Sequence, residues 1–424
     1  MDGKSTTVKE EFVLTDEVEE VFKLLLANEQ VKKSLSFLEE DNDFTTEEQI
    51  ELTGIEAPTF QEFQRGEAYH QKLHKLGIKD IQVDGIGNVF GIREGSGGGP
   101  TLVVCAHLDT VFPAGTNVEA KLIDGKVYAP GIADDGRGLA AVLTLIRALN
   151  HANIKTKGDL IVGATVGEEG LGDLRGVKSL FENRDDIDGF ISIEPGSPQR
   201  ITYLGTGSKR YSVMYKGPGG HSFGNFGTAN PVHALGRAIA SIASLETPAD
   251  PKTTFNVGVI SGGTSVNTIS ETGNMLIDIR SNSQDELVKL EEKLLAIIND
   301  AARQENLRWN NSSEVTVDIK LVGDRPAGSQ RQDAMIVQVA AAATAALGFE
   351  IVLDVANSTD SNVPIHLGIP AVTLGGGGDA GGFHTLNEYY DPTDAYYGVQ
   401  KIFLTILGLI GCEDITDSLL TKRL

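Results

Sequence analysis

Cysteine, basic residues and long apolar runs are all scarce in this sequence. The only two cysteines among 424 residues, Cys105 and Cys412, exclude a disulfide framework and a zinc site built from four thiolates. Lys and Arg number 36 against 59 Asp and Glu, giving a net charge of −23. That balance argues against a nucleic-acid partner, because proteins that bind nucleic acid present a basic face. The apolar stretch 402–410 is far shorter than the ~20 residues of a membrane span. Residues 1–20 lack the apolar core of a secretory signal, so we expect a cytoplasmic protein without a membrane partner.

The chain is long enough for two or three domains at the usual ~150 residues each. Between residues 101 and 194, short apolar runs alternate with amphipathic helices, which predicts an α/β domain with a parallel or mixed sheet. From 211 to about 320 the order becomes strand, helix, two strands, helix, strand, a ferredoxin-like α+β unit. We therefore predict a domain formed by 1–207 and 323–424 that is interrupted by a smaller inserted domain, 208–322.

Polar side chains follow the predicted strands of the larger domain. They are His107 and Asp109, Glu168 and Glu169, Glu194, and His384, while Asp134 and Asp135 lie between the first two of these strands, just before a helix. In open α/β sheets, sites form where the carboxyl ends of the strands meet. Two imidazoles and several carboxylates at such an edge indicate a metal site with nitrogen and oxygen ligands. One metal would leave surplus carboxylates repelling each other. Two metals about 3.5–4 Å apart that share one carboxylate account for the set.

The two sequence motifs His107-Leu108-Asp109 and Glu168-Glu169 suggest separate roles for neighbouring residues. In an extended segment His107 and Asp109 point the same way, so Asp109 is expected to orient the imidazole. Adjacent glutamates diverge at a strand end, so one can bind metal while the other acts as general base toward a water nucleophile. Each motif has an ordinary alternative: aspartates before a helix often act as caps, and adjacent glutamates often lie in solvent. The convergence of all these motifs on strand ends favours the site.

Six segments carry a resemblance to a known family: VVCAHLDTVFPAG, YAPGIADDGRG, GATVGEEG, ISIEPG, GPGGHSFG and GGFHT. They span about residues 80–390 and resemble the di-zinc exopeptidases and deacylases, which include glutamate carboxypeptidase, peptidase T, aminoacylase and succinyl-diaminopimelate desuccinylase. The resemblance implies a catalytic domain with an inserted lid domain that forms a homodimer, and two Zn²⁺ per subunit, with Co²⁺ or Mn²⁺ as alternatives. The resemblance implies that Asp134 bridges the two metals. One metal would also be held by His107 and Glu194, and the other by Glu169 and His384. Glu168 would be the general base.

The resemblance extends to three residues of the inserted domain. His221 matches a histidine that reaches a partner subunit's active site and steadies the developing oxyanion. Asn267 and Arg280 lie in segments similar to those that bind a substrate carboxylate, a task suited to the planar arginine fork. One departure is Gly136, where many members carry lysine. In the family that this sequence resembles, aminopeptidases tend to have aspartate at the position of Glu194, and carboxypeptidases and deacylases glutamate. Glu194 therefore favours the substrates of a carboxypeptidase or deacylase.

Other patterns are weaker candidates for a site. His70 and His74 have the spacing of a zinc pair on one helix face, but Gln71 stands where a metalloprotease helix has its glutamate. The histidines expected to be structural and free of carboxylate neighbours are His151, His233 and His366. Asp360 and Glu388 are weighed as groups that support ligands.

Two rival classes are rejected on the sequence. Gly376, Gly378 and Gly381 match the dinucleotide-binding glycine pattern, but no helical period follows them before about Asp394. A serine hydrolase is the other rejected class: residues 220–224, GHSFG, have the GxSxG spacing, but the residues that follow, NFGTANP, do not begin a helix as the nucleophile elbow requires. The sequence thus predicts a zinc-dependent hydrolase that cleaves an amide bond in small peptides or N-acyl amino acids. An aminopeptidase for di- and tripeptides is the first alternative, and a non-catalytic metal-binding homologue the second.

Overall fold

The structure, a computed structural model, describes residues 12–423, and its chain forms two compact units. Part of the segment 1–20, in which no signal was expected, therefore lies outside the described residues. The smaller unit comprises 204–329 and 356–368, and the larger unit the remainder. The predicted domain boundaries at 207/208 and 322/323 stay a prediction.

Over residues 12–203, the larger unit contains six α-helices, eight strands and a short 3₁₀ helix, Gly170–Gly172. The helices are α1 (Asp16–Ala27), α2 (Glu29–Glu40), α3 (Asn42–Thr53), α4 (Phe63–Lys75), α5 (Gly136–His151) and α6 (Arg175–Asn183). The strands are β1 (Lys79–Val83), β2 (Val89–Arg93), β3 (Thr101–His107), β4 (Lys121–Ile123), β5 (Lys126–Tyr128), β6 (Asp159–Thr165), β7 (Gly189–Glu194) and β8 (Arg200–Thr202).

The remaining elements follow in chain order. The smaller unit contains β9 (Gly207–Lys216), β10 (Gly220–His221), α7 (Pro231–Ala243), β11 (Thr253–Gly262), β12 (Thr268–Ile269), β13 (Thr272–Ser281), α8 (Gln284–Arg308) and β14 (Thr316–Arg325). After it come α9 (Met335–Ala346), β15 (Val352–Leu353), α10 (Asn362–His366, in the smaller unit), β16 (Ala371–Gly375), β17 (Asp379–Gly381), β18 (Tyr389–Asp391) and α11 (Tyr396–Ile410).

The larger unit is built on an eight-stranded mixed sheet with the order β1-β2-β6-β3-β7-β16-β8-β15. The central strands β6, β3, β7 and β16 run parallel, so their carboxyl ends lie at one edge. All seven residues of β3 are buried, as expected for a central strand with helices on both faces. The predicted mixed α/β sheet is confirmed.

Helix α5 is buried on more than the one face that its apolar period predicts. Leu139, Val142 and Ile146 join the sheet core, while α2 and α3 pack on the other side. The hydroxyl of Ser34 in α2, for example, donates to the carbonyl oxygen of Ala148 at 3.1 Å. The helices at the start of the chain thus enclose the helix that begins directly after Asp135.

A second sheet of the larger unit, β17-β18-β5-β4, joins two distant loops. Tyr389 in β18 pairs with Tyr128 in β5, shortly before Asp134. The strands β17 and β18 enclose the segment that contains His384. This small sheet therefore places the loop of His384 beside the loop of Asp134.

The smaller unit has the predicted βαββαβ order. Its four-stranded antiparallel sheet runs β11-β13-β9-β14, and α7 and α8 pack on one face through Leu235, Leu290 and Leu294. A two-stranded ribbon, β10-β12, adds the short pairing of His221 with Thr268. Within residues 12–423, no helix combines the length and the apolar character needed to cross a bilayer.

Candidate metal centre

The residues predicted at strand ends do meet at the carboxyl edge of the central sheet. His107 is the last residue of β3 and Glu194 the last of β7, and these strands are parallel neighbours. The Nε2 atom of His107 lies 3.9 Å from a carboxylate oxygen of Glu194 and 3.0 Å from Oδ1 of Asp134. His107 is buried, and Glu194 and Asp134 are partly buried. The fold therefore brings His107, Asp134 and Glu194 close together in space although they are far apart in the sequence.

The adjacent aspartates serve two different purposes. Asp135 caps α5: its carboxylate accepts a hydrogen bond from the backbone N–H of Gly138 at 3.0 Å, and another from the N–H of His107 at 3.0 Å. Asp134 instead faces the two histidines, with Oδ2 lying 3.3 Å from Nε2 of His384. The capping interpretation is confirmed for Asp135, and the ligand role of Asp134 stays a prediction.

The adjacent glutamates also separate. Glu169 places Oε1 3.0 Å from Nε2 of His384. Both glutamates are buried, and their backbone N–H groups donate to the two carboxylate oxygens of Asp109, each at 3.0 Å. The carboxylate of Asp109 thereby holds the loop after β6 and fixes the backbone positions of Glu168 and Glu169.

Asp109 therefore acts differently from the expectation. His107 Nδ1 is paired with the backbone carbonyl oxygen of Asp109 at 2.9 Å, while the nearest carboxylate oxygen is 3.7 Å away. The side chain of Asp109 accepts from Glu168, Glu169 and the hydroxyl of Thr59, the last at 2.9 Å. Asp109 thus contacts the imidazole through its backbone carbonyl oxygen, while its carboxylate bonds to the neighbouring loop and to Thr59.

Two supporting residues near the start of the chain escaped the sequence reasoning. Thr59 is one, and Arg65 on α4 is the other. The fully buried guanidinium of Arg65 donates to the carbonyl oxygens of Leu108, Ile55 and Thr53. Burial lowers the pKa of Arg65 to about 10, although Asp109 and Asp135 oppose that shift. No local signal distinguishes this arginine from a surface one, since only the fold shows that it is buried.

The clustered carboxylates perturb each other strongly. Burial raises the pKa of Glu169 to about 7, and the charges of Asp134 and Glu168 add to that shift. Burial likewise raises the pKa of Glu194 well above its usual range, with Asp135 and Asp134 contributing. The pKa of His384 is raised to about 9, chiefly by its hydrogen bond with Asp134. Burial and neighbouring negative charge thus act in the same direction on Glu169 and Glu194, and each favours the protonated carboxyl.

For Asp134 and His107 the hydrogen bonds outweigh burial. Burial alone would raise the pKa of Asp134, yet its bonds to His107 and His384 bring it below the ordinary value. Burial alone would lower the pKa of His107, yet the bond to Asp134 and the charge of Glu194 raise it well above normal.

This donor set fits divalent metal. One ligand atom each from His107, Asp134 and Glu169 lies within 4.8 Å of the others. Imidazole nitrogens with carboxylate oxygens suit Zn²⁺, and also Co²⁺ or Mn²⁺. Asp134 contacts both histidines through different oxygens, as a carboxylate that serves two cations would.

The three candidate residues of the smaller unit do not form one cluster within it. His221 and Asn267 are exposed neighbours: His221 Nδ1 accepts from the N–H groups of Phe223 and Gly224 at 3.2 Å, and the carbonyl of Asn267 accepts from Ser222. Arg280 lies near the end of β13, roughly 26 Å along the strand from Thr272 at ~3.3 Å per residue. Its Nε donates to Asp278 at 2.8 Å.

The weaker histidine candidates have ordinary surroundings. His70 and His74 lie on α4, half-buried and exposed respectively. The ring of His151 stacks on Phe37 with centroids 4.5 Å apart. His366 Nδ1 is paired with a backbone carbonyl oxygen at 3.0 Å. His233 does have a carboxylate neighbour, Glu305 at 3.7 Å, because α8 packs beside α7. The expectation that it has none was wrong.

The glycine-rich segment lacks the helix that dinucleotide binding requires. Residues 376–378 are followed by the short strand β17, and no helix begins before Tyr396. The side chain of Arg137 contacts the glycine-rich segment, and its Nε donates to the carbonyl oxygen of Gly376 at 2.8 Å.

The departure at Gly136 has a steric cause. A Cβ at this position would lie 2.4 Å from the Thr53 hydroxyl oxygen and 2.9 Å from the carbonyl oxygen of Gly131. Both distances are below those of real contacts, so the helix at the start of the chain leaves no room here for a lysine side chain.

A family model described as peptidase family M20/M25/M40 matches residues 103–407, well over half of the chain. The chain belongs to peptidase family M20/M25/M40. The match includes every predicted metal ligand and all four strands of the small β17-β18-β5-β4 sheet.

Two curated relatives illustrate this M20/M25/M40 membership. An uncharacterised protein of Bacillus subtilis, YqjE, is 27% identical over 81% of this chain and 92% of its own length. The succinyl-diaminopimelate desuccinylase of Xanthomonas oryzae pv. oryzae is 28% identical over 51% of this chain, and the alignment spans only 62% of that enzyme.

Two solved structures show the same fold. Aminopeptidase PepT of Bacillus cereus has a TM-score of 0.71 at 22% identity, covering 86% of this chain and 98% of its own. YxeP of Bacillus subtilis, a dinuclear metal-binding peptidase of family M20, has a TM-score of 0.66 at 15% identity, covering 88% and 99%. As a member of peptidase family M20/M25/M40 with a His/Asp/Glu cluster, the protein is a metal-dependent hydrolase of amide bonds.

Proposed function

We propose that this M20/M25/M40 protein is a di-zinc exopeptidase or deacylase that cleaves an amide bond in a small peptide or an N-acyl amino acid. The observation that carries the proposal is the convergence of two imidazoles and three carboxylates at one sheet edge, with nitrogen-to-oxygen distances of 3.0 to 3.9 Å. The buried Glu168 lies in the same loop as one of these carboxylates.

The ligands divide into two sets that share one residue. His107 and Glu194 with Asp134 would hold one cation, and Glu169 and His384 with the same Asp134 would hold the other. The distances of 3.0 and 3.3 Å from Asp134 to the two imidazoles support this division. When bound, the cations supply Lewis acidity, which lowers the pKa of water and polarises the substrate carbonyl.

Glu168 is the general base of the proposed reaction. It takes a proton from the attacking water and returns it to the leaving amine, so the amide C–N bond breaks without a covalent enzyme intermediate. The backbone N–H of Glu168 donates to the Asp109 carboxylate at 3.0 Å, which fixes the backbone position from which the Glu168 side chain extends. Burial excludes competing solvent from this carboxylate.

The inserted domain is proposed to act as a lid and as the contact of a homodimer. His221 would reach the partner subunit's site and stabilise the oxyanion, while Asn267 and Arg280 would bind the substrate's carboxylate. Exposure of His221 and Asn267 is compatible with such a role. Arg280 lies near the far end of β13 from Thr272, which follows Asn267 closely in the chain, and this agrees with contributions from different copies of the chain. Two cysteines, both buried, suit the reducing cytoplasm; they are Cys105 and Cys412.

The substrate preference that we favour is for a free carboxylate beside the cleaved amide. Glutamate at 194 is the observation behind it, together with the likeness to a desuccinylase. The fold of aminopeptidase PepT keeps peptide aminopeptidase activity as the second candidate.

Two neighbouring substitutions test the roles at the centre. Glu168→Gln should retain its metal, measured by elemental analysis, and lose kcat by roughly 10²–10⁴-fold, the usual contribution of a general base. Glu169→Gln, one residue along the same loop, should instead lose metal. Wild-type turnover in Glu168→Gln, or loss of metal from that variant alone, would refute the assignment. A metal-loaded wild type without turnover on any peptide or N-acyl substrate would favour the non-catalytic homologue.

The substrate class is tested with di- and tripeptides and N-acyl amino acids, each also in C-amidated or N-acetylated form. Loss of cleavage on C-amidation supports the carboxypeptidase or deacylase assignment. Loss on N-acetylation supports the aminopeptidase. Elemental analysis of protein purified without added metal distinguishes zinc from cobalt and manganese.

The role across the dimer has its own test. Mixing His221→Ala protein with Glu168→Ala protein should restore part of the activity through hybrid dimers. Mixtures that exchange subunits, as followed by a mass-tagged copy, and yet stay inactive would contradict it.

A further inference from the structure

Glu388 connects the two loops that carry Asp134 and His384. Here the Asp134 loop means residues 129–135, and the His384 loop means residues 376–395. Glu388 belongs to the second loop and is fully buried. Its Oε1 accepts hydrogen bonds from the backbone N–H groups of Ala133 at 2.9 Å and Asp134 at 3.0 Å, and its Oε2 accepts from Gly131 at 3.1 Å.

The other end of the connection is made by Arg137. Its Nε donates to the carbonyl oxygen of Gly376 at 2.8 Å, and Nη2 donates to that of Ala395 at 3.1 Å. These carbonyls stand at the two ends of the His384 loop. The guanidinium also lies 5.5 Å above the ring of Tyr390. Arg137 therefore holds the ends of the loop, while Glu388 holds its middle against the Asp134 loop.

His384 itself is weakly constrained by its surroundings. Its side chain is 54% exposed, and its contacts in the described structure are with Asp134 and Glu169, the groups with which it would share a cation. The approach of 3.3 Å between His384 and Asp134 therefore depends on how the two loops are joined. At the Asp134 end, the carboxylate of Glu388 joins the loops through its three N–H bonds, and its carbonyl oxygen accepts a fourth from Ala129 at 3.2 Å.

We propose that Glu388 is a positioning residue of the metal centre: by accepting three N–H groups of the Asp134 loop, it sets the distance between the ligands Asp134 and His384. This inference rests on the proposed metal centre. Groups that orient metal ligands typically change affinity 10–100-fold when they are replaced.

Replacement by glutamine gives a specific perturbation. Glutamine keeps the length of the side chain but has one acceptor oxygen and one NH₂ donor. In either orientation, at least one of the three backbone N–H groups then faces another donor. The Asp134 loop must shift to avoid this contact, and Asp134 shifts with it.

A matched control is available in Glu305. This carboxylate is also fully buried and accepts the backbone N–H of Asn230 at 3.1 Å, the indole N–H of Trp309 at 3.1 Å and Nε of Arg237 at 3.2 Å. It belongs to the smaller unit and contacts no proposed ligand. Glu305→Gln therefore removes a buried carboxylate without acting on the Asp134 loop.

The experiment measures Zn²⁺ affinity of metal-free wild type, Glu388→Gln and Glu305→Gln by competition with a chromophoric chelator, below the unfolding temperature of each. We expect a 10–100-fold loss in Glu388→Gln and a change of less than about twofold in Glu305→Gln. The visible spectrum of the Co²⁺-loaded proteins should change in Glu388→Gln only, since it reports ligand geometry and a merely less stable fold would leave it unaltered.

Wild-type affinity and an unchanged Co²⁺ spectrum in Glu388→Gln would overturn the positioning role while leaving the metal centre intact. Failure of the wild type to bind Zn²⁺ would instead overturn the proposed function. If Glu388→Gln does not fold, Glu388→Asp takes its place, because it keeps the charge and withdraws the oxygens by one methylene. The same loss of affinity is expected, and wild-type affinity in that variant would equally overturn the proposal.

Discussion

Lys401 makes the stability of the larger unit depend on pH. It lies on α11, fully buried, and its Nζ donates to the carbonyl oxygen of Arg200 at 2.7 Å. Burial lowers the pKa of Lys401 from 10.5 to about 7. A lysine in the unfolded chain keeps the ordinary value, so folding at neutral pH or above must release a proton from this side chain.

The size of the effect follows from that shift. Between pH 7 and 10.5 the unfolded state binds one proton more than the folded state at Lys401, so the free energy of unfolding rises with pH. The slope is about 1.4 kcal/mol per pH unit, and the whole interval amounts to about 5 kcal/mol. Below the folded pKa both states are protonated, and this contribution no longer changes with pH.

The variant Lys401→Met removes the titration and keeps most of the apolar side chain. At pH 7 we expect the larger unit to gain about 2–4 kcal/mol, since the avoided deprotonation exceeds the loss of one hydrogen bond to Arg200. Urea unfolding from pH 7.5 to 9.5 should show this advantage shrinking by about 1.4 kcal/mol per unit. Metal-free protein is used throughout, because metal binding also depends on pH.

Lys23→Met on the exposed face of α1 is the control for loss of one lysine. A difference between wild type and Lys401→Met that stays constant from pH 7.5 to 9.5 would refute the reasoning. So would destabilisation by Lys401→Met at pH 7, because a favourable charged lysine would then be present in the folded state.

Three further predictions concern the surroundings of the centre. Gly136→Ala should lower the free energy of unfolding by about 1–3 kcal/mol, because the new Cβ would meet Thr53. The control Gly236→Ala on α7, whose Cβ would meet nothing within 4 Å, should raise the free energy of unfolding by about 0.5–1 kcal/mol. Equal effects of the two variants in urea titrations would contradict this. Thr59→Val removes the donor to Asp109 and should cost about 1–2 kcal/mol by the same measurement, and no loss would show that the bond contributes nothing. Chelation should lower the melting temperature, and Zn²⁺ at about 100 times its Kd should restore about 2.7 kcal/mol, while a melting temperature independent of metal would argue against a folded-state site.

The order of elements was predictable because it depends on local patterns. The period of Leu139, Val142 and Ile146 predicts α5, and the apolar run before His107 predicts β3. The ligand positions were predictable for a related reason. Parallel strands bring their carboxyl ends to one edge, so polar residues after separate strands must meet there.

The direction of each side chain was decided by segments far away in the chain. Asp109 turns from His107 because the loop of Glu168 offers it N–H donors. Arg65 becomes a buried cation only when α4 packs beside β1 and β2, which brings its guanidinium to the carbonyl oxygen of Leu108.

The sequence by itself thus determined which residues gather at the centre, since burial of apolar faces and strand direction follow from local periodicity. Only the tertiary structure decided how they are oriented. Glu388 shows why: its partners lie more than 250 residues earlier, and a hydrogen bond requires a distance and an angle that no spacing along the chain encodes.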